Sequence, residues 1–353
     1  LLFALYFISI SLISPSSTAT NILTPTHNLT DNQTLVSSNK RFELGFFSPG
    51  NSSHRFLGIW YHNLLPLTVV WVANKRHPIT NSFGQLTLTK NGGLVLYNQS
   101  TNIVWSTNQT VMVNSPILEL LDSGNLVIRD EETDGNDYAW ESFDYMSDTL
   151  LPGMKLGWKL KTGLNRFMTS WRSNEDPSDG EFTFSLDPPE SPQLVLRRGS
   201  VKQYRWGPWD GVRFSGSNEL KENAVFKPMF NSNFDEVYYT FEAFNKSILS
   251  RFVVTQLGQI QYLTLPDHSR EWVMMVTLNW DYCDRFGLCG DYGNCYAGGL
   301  NCRCLKGFAP KSPRDWGLVD FSGGCKRKHE LNCRNRDGFV KYTGLKLPDN
   351  SVV

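Results

Sequence analysis

Apolar and polar residues alternate along much of this chain with the two-residue period of a half-buried strand. Residues 41–47, Arg-Phe-Glu-Leu-Gly-Phe-Phe, alternate strongly and stop at the turn Ser48-Pro49-Gly50. Residues 56–61 read as a second strand, and residues 68–73, with Val69, Val70, Trp71 and Val72, as a third. No stretch here sustains a helical period. A repeat follows. Leu86-Thr-Leu-Thr-Lys-Asn-Gly92-Gly-Leu94-Val95 recurs 32 residues on as Leu118-Glu-Leu-Leu-Asp-Ser-Gly124-Asn-Leu126-Val127. In each copy leucines two apart share a face, a turn follows, and an apolar strand returns, which predicts two hairpins over one core. A tryptophan follows each copy, Trp105 and then Trp140, the second spacing stretched by the acidic loop 130–137. Large indoles fill the centre of a small all-β body with few residues, so Trp60, Trp71, Trp105 and Trp140 are expected in the core.

Residues 150–275 continue in the same style. Residues 168–186 alternate around Trp171 and Phe182-Thr-Phe184, with a polar turn expected at 173–181. Further strands are predicted at 193–196, 201–209, 237–241, 248–255 and 259–263, making a second all-β body. Its boundary with the first falls near 145–155, punctuated by Pro152-Gly153. Residues 270–280, with Trp272, Val273 and Met275, are expected to pack a following module against it.

That module is marked by cysteine. All seven cysteines lie between Cys283 and Cys333: Cys283, Cys289, Cys295, Cys302, Cys304, Cys325 and Cys333. The gaps leave no room for an ordinary helix or strand, and so small a segment needs cross-links to hold itself. Zinc sites usually repeat a close thiolate pair with histidines nearby; here there is one close pair, Cys302 and Cys304, and His329 alone, which favours disulfides. An odd count leaves Cys333 without a partner in this chain. The basic cluster Lys326-Arg327-Lys328-His329 reads as a solvated face.

Residues 1–13 are almost wholly apolar and precede Ser14-Pro15-Ser16-Ser17-Thr18-Ala19. This reads as a secretory signal lacking its initiator Met, cleaved after Ala19 and too short to span a membrane. Secretion suits paired cysteines and the Asn-x-Ser/Thr sequons at Asn28, Asn32, Asn51, Asn98, Asn108 and Asn245. With 34 basic and 34 acidic side chains the net charge is zero, so no basic field attracts nucleic acid. Aromatic content of 13 % fits strands and turns. No phosphate-binding glycine loop or His-Glu-x-x-His appears, and nothing sets a nucleophile on a strained turn beside a base, so no enzyme and no cofactor or metal is expected.

The pairs ending Gly-x-Leu-Val, with Trp71-Val-Ala-Asn74 and Trp105-Ser-Thr-Asn108, resemble a bulb-type mannose-binding lectin domain, a family that folds as a β-prism of three antiparallel sheets. Trp140-Glu-Ser-Phe-Asp-Tyr145, Asp148-Thr-Leu-Leu-Pro-Gly-Met-Lys-Leu-Gly157 and Leu164-Asn-Arg-Phe-Met-Thr-Ser-Trp-Arg172 narrow this. So do Asp176-Pro-Ser-Asp-Gly-Glu-Phe182 and Gly207-Pro-Trp-Asp-Gly-Val-Arg-Phe-Ser-Gly216. Together they closely resemble the plant S-locus glycoprotein and S-receptor kinase ectodomain, over residues 42–348. Cys302-Arg-Cys304 followed by Leu-Lys-Gly-Phe resembles an epidermal-growth-factor-like module. That likeness implies the pairs 283–295, 289–302 and 304–325, which spacing alone leaves open. Cys333 and Asp337-Gly-Phe-Val-Lys-Tyr342 look like the start of a PAN/apple-like domain.

The resemblance implies an all-β chain of tandem bulb-lectin-like β-prisms with a disulfide-rich module and the start of a PAN domain. The expected layout is a signal at 1–19, a first lectin domain at 20–149 and a second lectin-like domain at 150–278. The growth-factor-like module follows at 279–326 and the truncated PAN start at 327–353, with the partner of Cys333 beyond the fragment. Receptor members of the family carry a transmembrane helix and a Ser/Thr kinase further on; others are soluble glycoproteins. Bulb lectins bind mannose through Gln-x-Asp-x-Asn-x-Val-x-Tyr. Aligned on Val95 and Tyr97, the polar positions here are Thr89, Asn91 and Gly93; in the second copy only Asn125 survives. Losing several hydrogen bonds from a shallow site should abolish ordinary mannose binding. The expected role is recognition of an extracellular protein or peptide ligand. In the best-known branch that ligand is a small cysteine-rich pollen coat protein, bound with receptor dimerisation. The ligand surface is expected near 200–280, with Tyr204, Phe234 or Tyr262 as anchors unless these pack in the core. A carbohydrate module acting through Asn125, or a structural glycoprotein, are the alternatives.

Overall fold

The computed structural model describes residues 20–345 apart from 81–82, 108–110, 134, 136, 188–190, 216–219, 221, 223–225, 246, 267–268, 280, 297–301 and 333–337. The expected signal segment, the sequon at Asn108 and Cys333 lie outside the described residues.

The first body begins with β1 (Ile22–Leu23), β2 (Asn28–Thr30), β3 (Leu35–Val36), β4 (Phe42–Phe47), β5 (Phe56–Tyr61) and β6 (Val69–Val72). It continues with β7 (Gly84–Leu88), β8 (Leu94–Asn98), β9 (Ile103–Ser106), β10 (Pro116–Leu120), β11 (Leu126–Asp130) and β12 (Trp140–Glu141). Three four-stranded antiparallel sheets result: β3-β4-β5-β6 (first), β2-β7-β8-β9 (second) and β1-β10-β11-β12 (third). The repeat is two superposable hairpins. Leu86 faces Leu96 and Leu88 faces Leu94 in one; Leu118 faces Ile128 and Leu120 faces Leu126 in the other. All eight side chains are buried. Gly92 and Gly124 turn these hairpins at φ 86° and 87°, a left-handed conformation that glycine adopts without a Cβ penalty.

The polar stretch 20–40, which carries no readable period, supplies one outer strand to each sheet. Leu23, Leu29 and Leu35, six residues apart, anchor them in the core. At the other edge each sheet contributes an indole: Trp71 on β6, Trp105 on β9 and Trp140 on β12. Their ring centroids are each 6.1 Å from the other two, edge to face, the geometry that the ring quadrupoles favour. Trp60 does not join them. It points to the opposite face of the first sheet, among Phe47, Phe56, Val69 and Val72, because strand alternation sends it away from Ile59 and Tyr61.

The second body comprises β13 (Thr149–Leu150), β14 (Leu156–Lys159), β15 (Leu164–Arg166), β16 (Met168–Ser173), β17 (Asp176–Asp187) and β18 (Gln193–Arg198). Then come β19 (Val201–Trp206), β20 (Phe226–Ser232), β21 (Glu236–Ala243), β22 (Leu249–Val254), β23 (Ile260–Leu265) and β24 (Val273–Thr277). These again form three four-stranded sheets, β13-β22-β23-β24, β15-β14-β21-β20 and β16-β17-β18-β19. The polar turn expected at 173–181 is shorter than that. β17 begins at Asp176, and bulges around Trp171 let polar side chains face outward while the backbone keeps pairing. Phe226, Phe241, Phe252 and Tyr262 form an aromatic core with centroids 4.7–5.9 Å apart.

The two bodies share one continuous apolar cluster. Trp171 of β16 packs on the outward face of the first sheet. The Tyr61 ring lies 5.2 Å from Trp272, whose Nε1 donates to Thr68 Oγ1 at 3.2 Å. Val72 N donates to Ser147 Oγ, and Lys75 and Arg76 pair with Asp179 at 2.7 and 2.6 Å. Trp272 therefore joins the two bodies and does not seat the cysteine module; Val273, Met274 and Met275 beside it are exposed. The module sits instead on β19. Phe286 N donates to Gln203 O at 2.7 Å, Tyr204 bridges Arg285, and Lys202 lies over the Phe286 ring. β19 is the edge strand of its sheet, and its free backbone groups take the Phe286 N–H.

The module holds β25 (Gly293–Cys295), β26 (Cys302–Cys304), β27 (Phe308–Pro310), α1 (Pro313–Gly317) and β28 (Cys325–Arg327). Disulfides join Cys283 to Cys295, Cys289 to Cys302 and Cys304 to Cys325, with Cα separations of 5.6, 5.5 and 5.8 Å. Among the described residues of the module, Cys289, Cys302 and Phe321 form a small buried cluster, so covalent bonds stand in for a larger core. Beyond β28 the described residues carry no helix or strand.

Candidate functional site

The residues aligned with the mannose motif are engaged in turns and internal hydrogen bonds. On the second sheet Val95 and Tyr97 point outward from β8, opposite Thr87 and Gln85 of β7. Thr89, Asn91 and Gly93 are not on a strand: they make the β7–β8 turn. Thr89 Oγ1 accepts from Gly93 N at 2.8 Å, and Thr89 N donates to Gly93 O at 2.7 Å. The threonine hydroxyl is engaged in closing the turn, and Gly93 has no side chain to offer.

On the third sheet, Asn125 is 4 % exposed. Its Oδ1 accepts from Ser142 Oγ and from Phe143 N, both at 3.1 Å, and its Nδ2 donates to Glu141 Oε2 at 2.8 Å. It therefore pins the single turn Ser142–Asp144 that carries the chain out of the first body. Burial pushes the Glu141 carboxyl above its ordinary range, the nearby Asp144 charge adds to this, and the Asn125 hydrogen bond opposes it. Outside it, Arg129 pairs with Glu119 at 2.9 Å on the outward face of the third sheet. The first sheet's outward face is covered by the second body through Trp171. Of the three outward faces, the first is covered by the second body, the third carries the Arg129–Glu119 ion pair, and the second presents Val95 and Tyr97 beside Thr87 and Gln85.

The expected ligand anchors divide. Phe234 is 98 % exposed in the turn between β20 and β21. Tyr204 is half-buried, stacked 6.2 Å from Trp206 beside the module. Tyr262 is 1 % exposed in the aromatic core and is no surface anchor: strand alternation on β23 turns it inward with Ile260. Of the described sequons, Asn28, Asn32, Asn51 and Asn245 are exposed. Asn98 is half-buried, and its Oδ1 accepts from Ser100 N and Asn102 N at 3.0 Å.

Two cavities missed by the sequence reading lie along the junction. One, of about 560 Å³, opens beside the three indoles and is lined by Tyr145 and Phe167. The other, of about 490 Å³, brings Asp148 and Arg251 together with Trp171. Neither carries a motif, because its walls come from strands far apart in the chain.

A chain of this architecture, two bodies of three sheets each followed by a cross-linked module, has the form of a lectin-like module. Comparison with known proteins agrees. The D-mannose binding lectin family model matches residues 68–172, and the S-locus glycoprotein domain model matches residues 204–312. The S-locus-specific glycoprotein S6 of Brassica oleracea is 42 % identical, covering 99 % of this chain and 81 % of that protein. The receptor-like serine/threonine-protein kinase SD1-8 of Arabidopsis thaliana is 42 % identical over 100 % of this chain and 41 % of its own length. The chain belongs to the S-locus glycoprotein and S-receptor kinase family of plant G-type lectin proteins. It corresponds to the lectin and S-locus domains and not to a kinase catalytic domain, and spans about two fifths of the matched receptor kinases. These matches indicate an extracellular or cell-surface chain. A monomeric mannose-binding lectin structure from Gastrodia elata is 21 % identical over 35 % of this chain and 95 % of its own, with a TM-score of 0.27.

Proposed function

We propose that this chain is the extracellular recognition part of a plant S-domain receptor-like kinase or of a secreted S-locus-type glycoprotein, and that its ligand is a protein or peptide. The observation that carries this reading is the engagement of Asn125, the last polar residue of the mannose pattern, in three internal hydrogen bonds. The proposed layout is two β-prism domains at 20–149 and 150–278, a growth-factor-like module at 279–326 and the start of a PAN-like domain at 327–353. Anchoring to a membrane would come through a downstream segment. Exposed Phe234 and half-buried Tyr204 remain as contacts for a ligand, possession of a small cysteine-rich fold being the family expectation, with pollen recognition as the family label and homodimerisation accompanying binding.

Calorimetric titration of the secreted chain with methyl-α-mannoside, alongside a glycan array, tests the first half. No saturable binding is expected, and millimolar or tighter binding lost on substituting Tyr97 would overturn the reading in favour of a sugar module. A library of secreted cysteine-rich peptides screened against wild type and Phe234→Ser tests the second half. Binding weakened by Phe234→Ser supports the surface named here.

A further inference from the structure

We propose that the cavity of about 490 Å³ between the two bodies is a binding site for a carboxylate-bearing ligand, held by the Arg251 guanidinium. Arg166 and Arg205, both buried, have close partners, whereas Arg251 is half-buried. Arg166, 3 % exposed, pairs with Asp144 at 3.3 Å and Glu236 at 3.2 Å. Arg205 donates to Gln193 Oε1 at 3.0 Å and to Gly207 O at 2.8 Å. Arg251 is treated differently. Its Nη1 has one long contact, 3.5 Å to Thr149 Oγ1; its Nε has no acceptor, as is also true of Arg166, so the difference lies in the missing carboxylate or close acceptor for its terminal nitrogens. Among the described residues no carboxylate stands within ion-pair distance of it. A guanidinium presents five N–H donors in a planar fork matched to a carboxylate, and withdrawing it from water without such an acceptor is costly.

The group is nevertheless held in place. Its carbon lies 4.8 Å from the centre of the Trp272 ring, and Trp272 is fixed by its hydrogen bond to Thr68. Arg251 is thus aimed at the cavity by a cation–π contact that leaves its hydrogen-bonding edge open. Asp148, just before β13, accepts from Thr149 Oγ1 at 2.9 Å, and burial pushes its carboxyl up to about 6. It forms no ion pair with Arg251, and it takes up a proton as pH falls through about 6, which favours an incoming carboxylate at lower pH. The remaining wall joins the Trp171 indole to Val69 and Leu257, which suits an apolar body attached to the acid group. The volume lies in the range of ordinary small-ligand sites. A free organic acid and the carboxylate of a peptide end share this chemistry.

The test uses the whole secreted chain and three probes: N-acetyl-leucine, its amide, and an acetylated pentapeptide ending in a free leucine carboxylate. Titration calorimetry should show binding of at least one acid and about tenfold or more weaker binding of the amide. Arg251→Gln should weaken the acid about tenfold or more, with Arg251→Lys retaining part of the affinity. Leu257 is 82 % exposed at the rim, so Leu257→Glu will fold and should weaken the acid while Leu257→Gln does not. Binding of the free acid points to a small-molecule site and binding of the pentapeptide alone to a peptide terminus; either supports the proposal. No binding of either acid, equal binding of acid and amide, or indifference to both Arg251→Gln and Leu257→Glu overturns it. Mannoside titration is untouched by these outcomes, so failure here leaves the reading of the sheet faces standing.

Discussion

Replacing Asn125 by alanine separates a structural residue from a sugar ligand in one experiment. The side chain is 4 % exposed and makes three hydrogen bonds. Truncation leaves Phe143 N–H, in a residue 8 % exposed, without its acceptor, at about 1–3 kcal/mol. It also removes the donor to Glu141, a charge-assisted bond of about 1.5–3 kcal/mol. Ser142 Oγ still accepts from Leu126 N and its hydroxyl can rotate, so its loss adds little. These terms are not additive, and the expected destabilisation is about 3–5 kcal/mol, with a fall in Tm on the order of 10 °C. Urea denaturation followed by tryptophan fluorescence measures it. Asn125→Asp keeps an acceptor for Phe143 but sets a second carboxylate beside Glu141, so its deficit should grow as pH rises. A variant that loses less than about 1 kcal/mol while abolishing mannoside binding would refute the reasoning, because Asn125 would then face a sugar.

The remaining expectations are more direct. Gly157→Ala should cost more than about 2 kcal/mol in urea denaturation, since its φ is +142° and a Cβ there would lie 2.2 Å from Val237 O. Replacing Cys289 and Cys302 by serine should open the module to proteolysis while near-ultraviolet signals of the two bodies persist, because the module's buried cluster is separate from theirs. Asp148 holds a proton up to about pH 6 when folded, against 3.8 ordinarily. Its contribution is therefore fully present below pH 3.8 and lost as pH rises through about 6, roughly 2–3 kcal/mol at most. The stability gained by wild type between pH 7.5 and 4.5 should be correspondingly smaller in Asp148→Asn, and identical slopes would remove the carboxyl from the account.

What could be read in advance was whatever repeats. The hairpins at 86–95 and 118–127 announce themselves because leucine alternation and a turn glycine recur together, and the indoles that follow them are where strand alternation places them. The outer strands β1 to β3 left no trace because two or three residues cannot display a period; only Leu23, Leu29 and Leu35 mark them. Trp272 shows a different limit: apolarity along the chain does not say which of two neighbouring bodies a residue meets. Asn125 shows the same limit at the site. A sugar-binding amide and an amide that closes a buried turn are the same letter, and only the positions of Glu141, Ser142 and Phe143 distinguish them. Tyr262 carries a phenol that could serve a surface or a core, and the register of β23 decides for the core.

The three indoles have an optical consequence. Transition dipoles of rings 6.1 Å apart and steeply inclined couple strongly, so Trp71, Trp105 and Trp140 should give an exciton band in circular dichroism. Because each ring comes from a different sheet, the full band exists only when all three sheets have closed. It is a built-in reporter of closure of the first body, readable without any label and separable from the fluorescence of the more distant tryptophans.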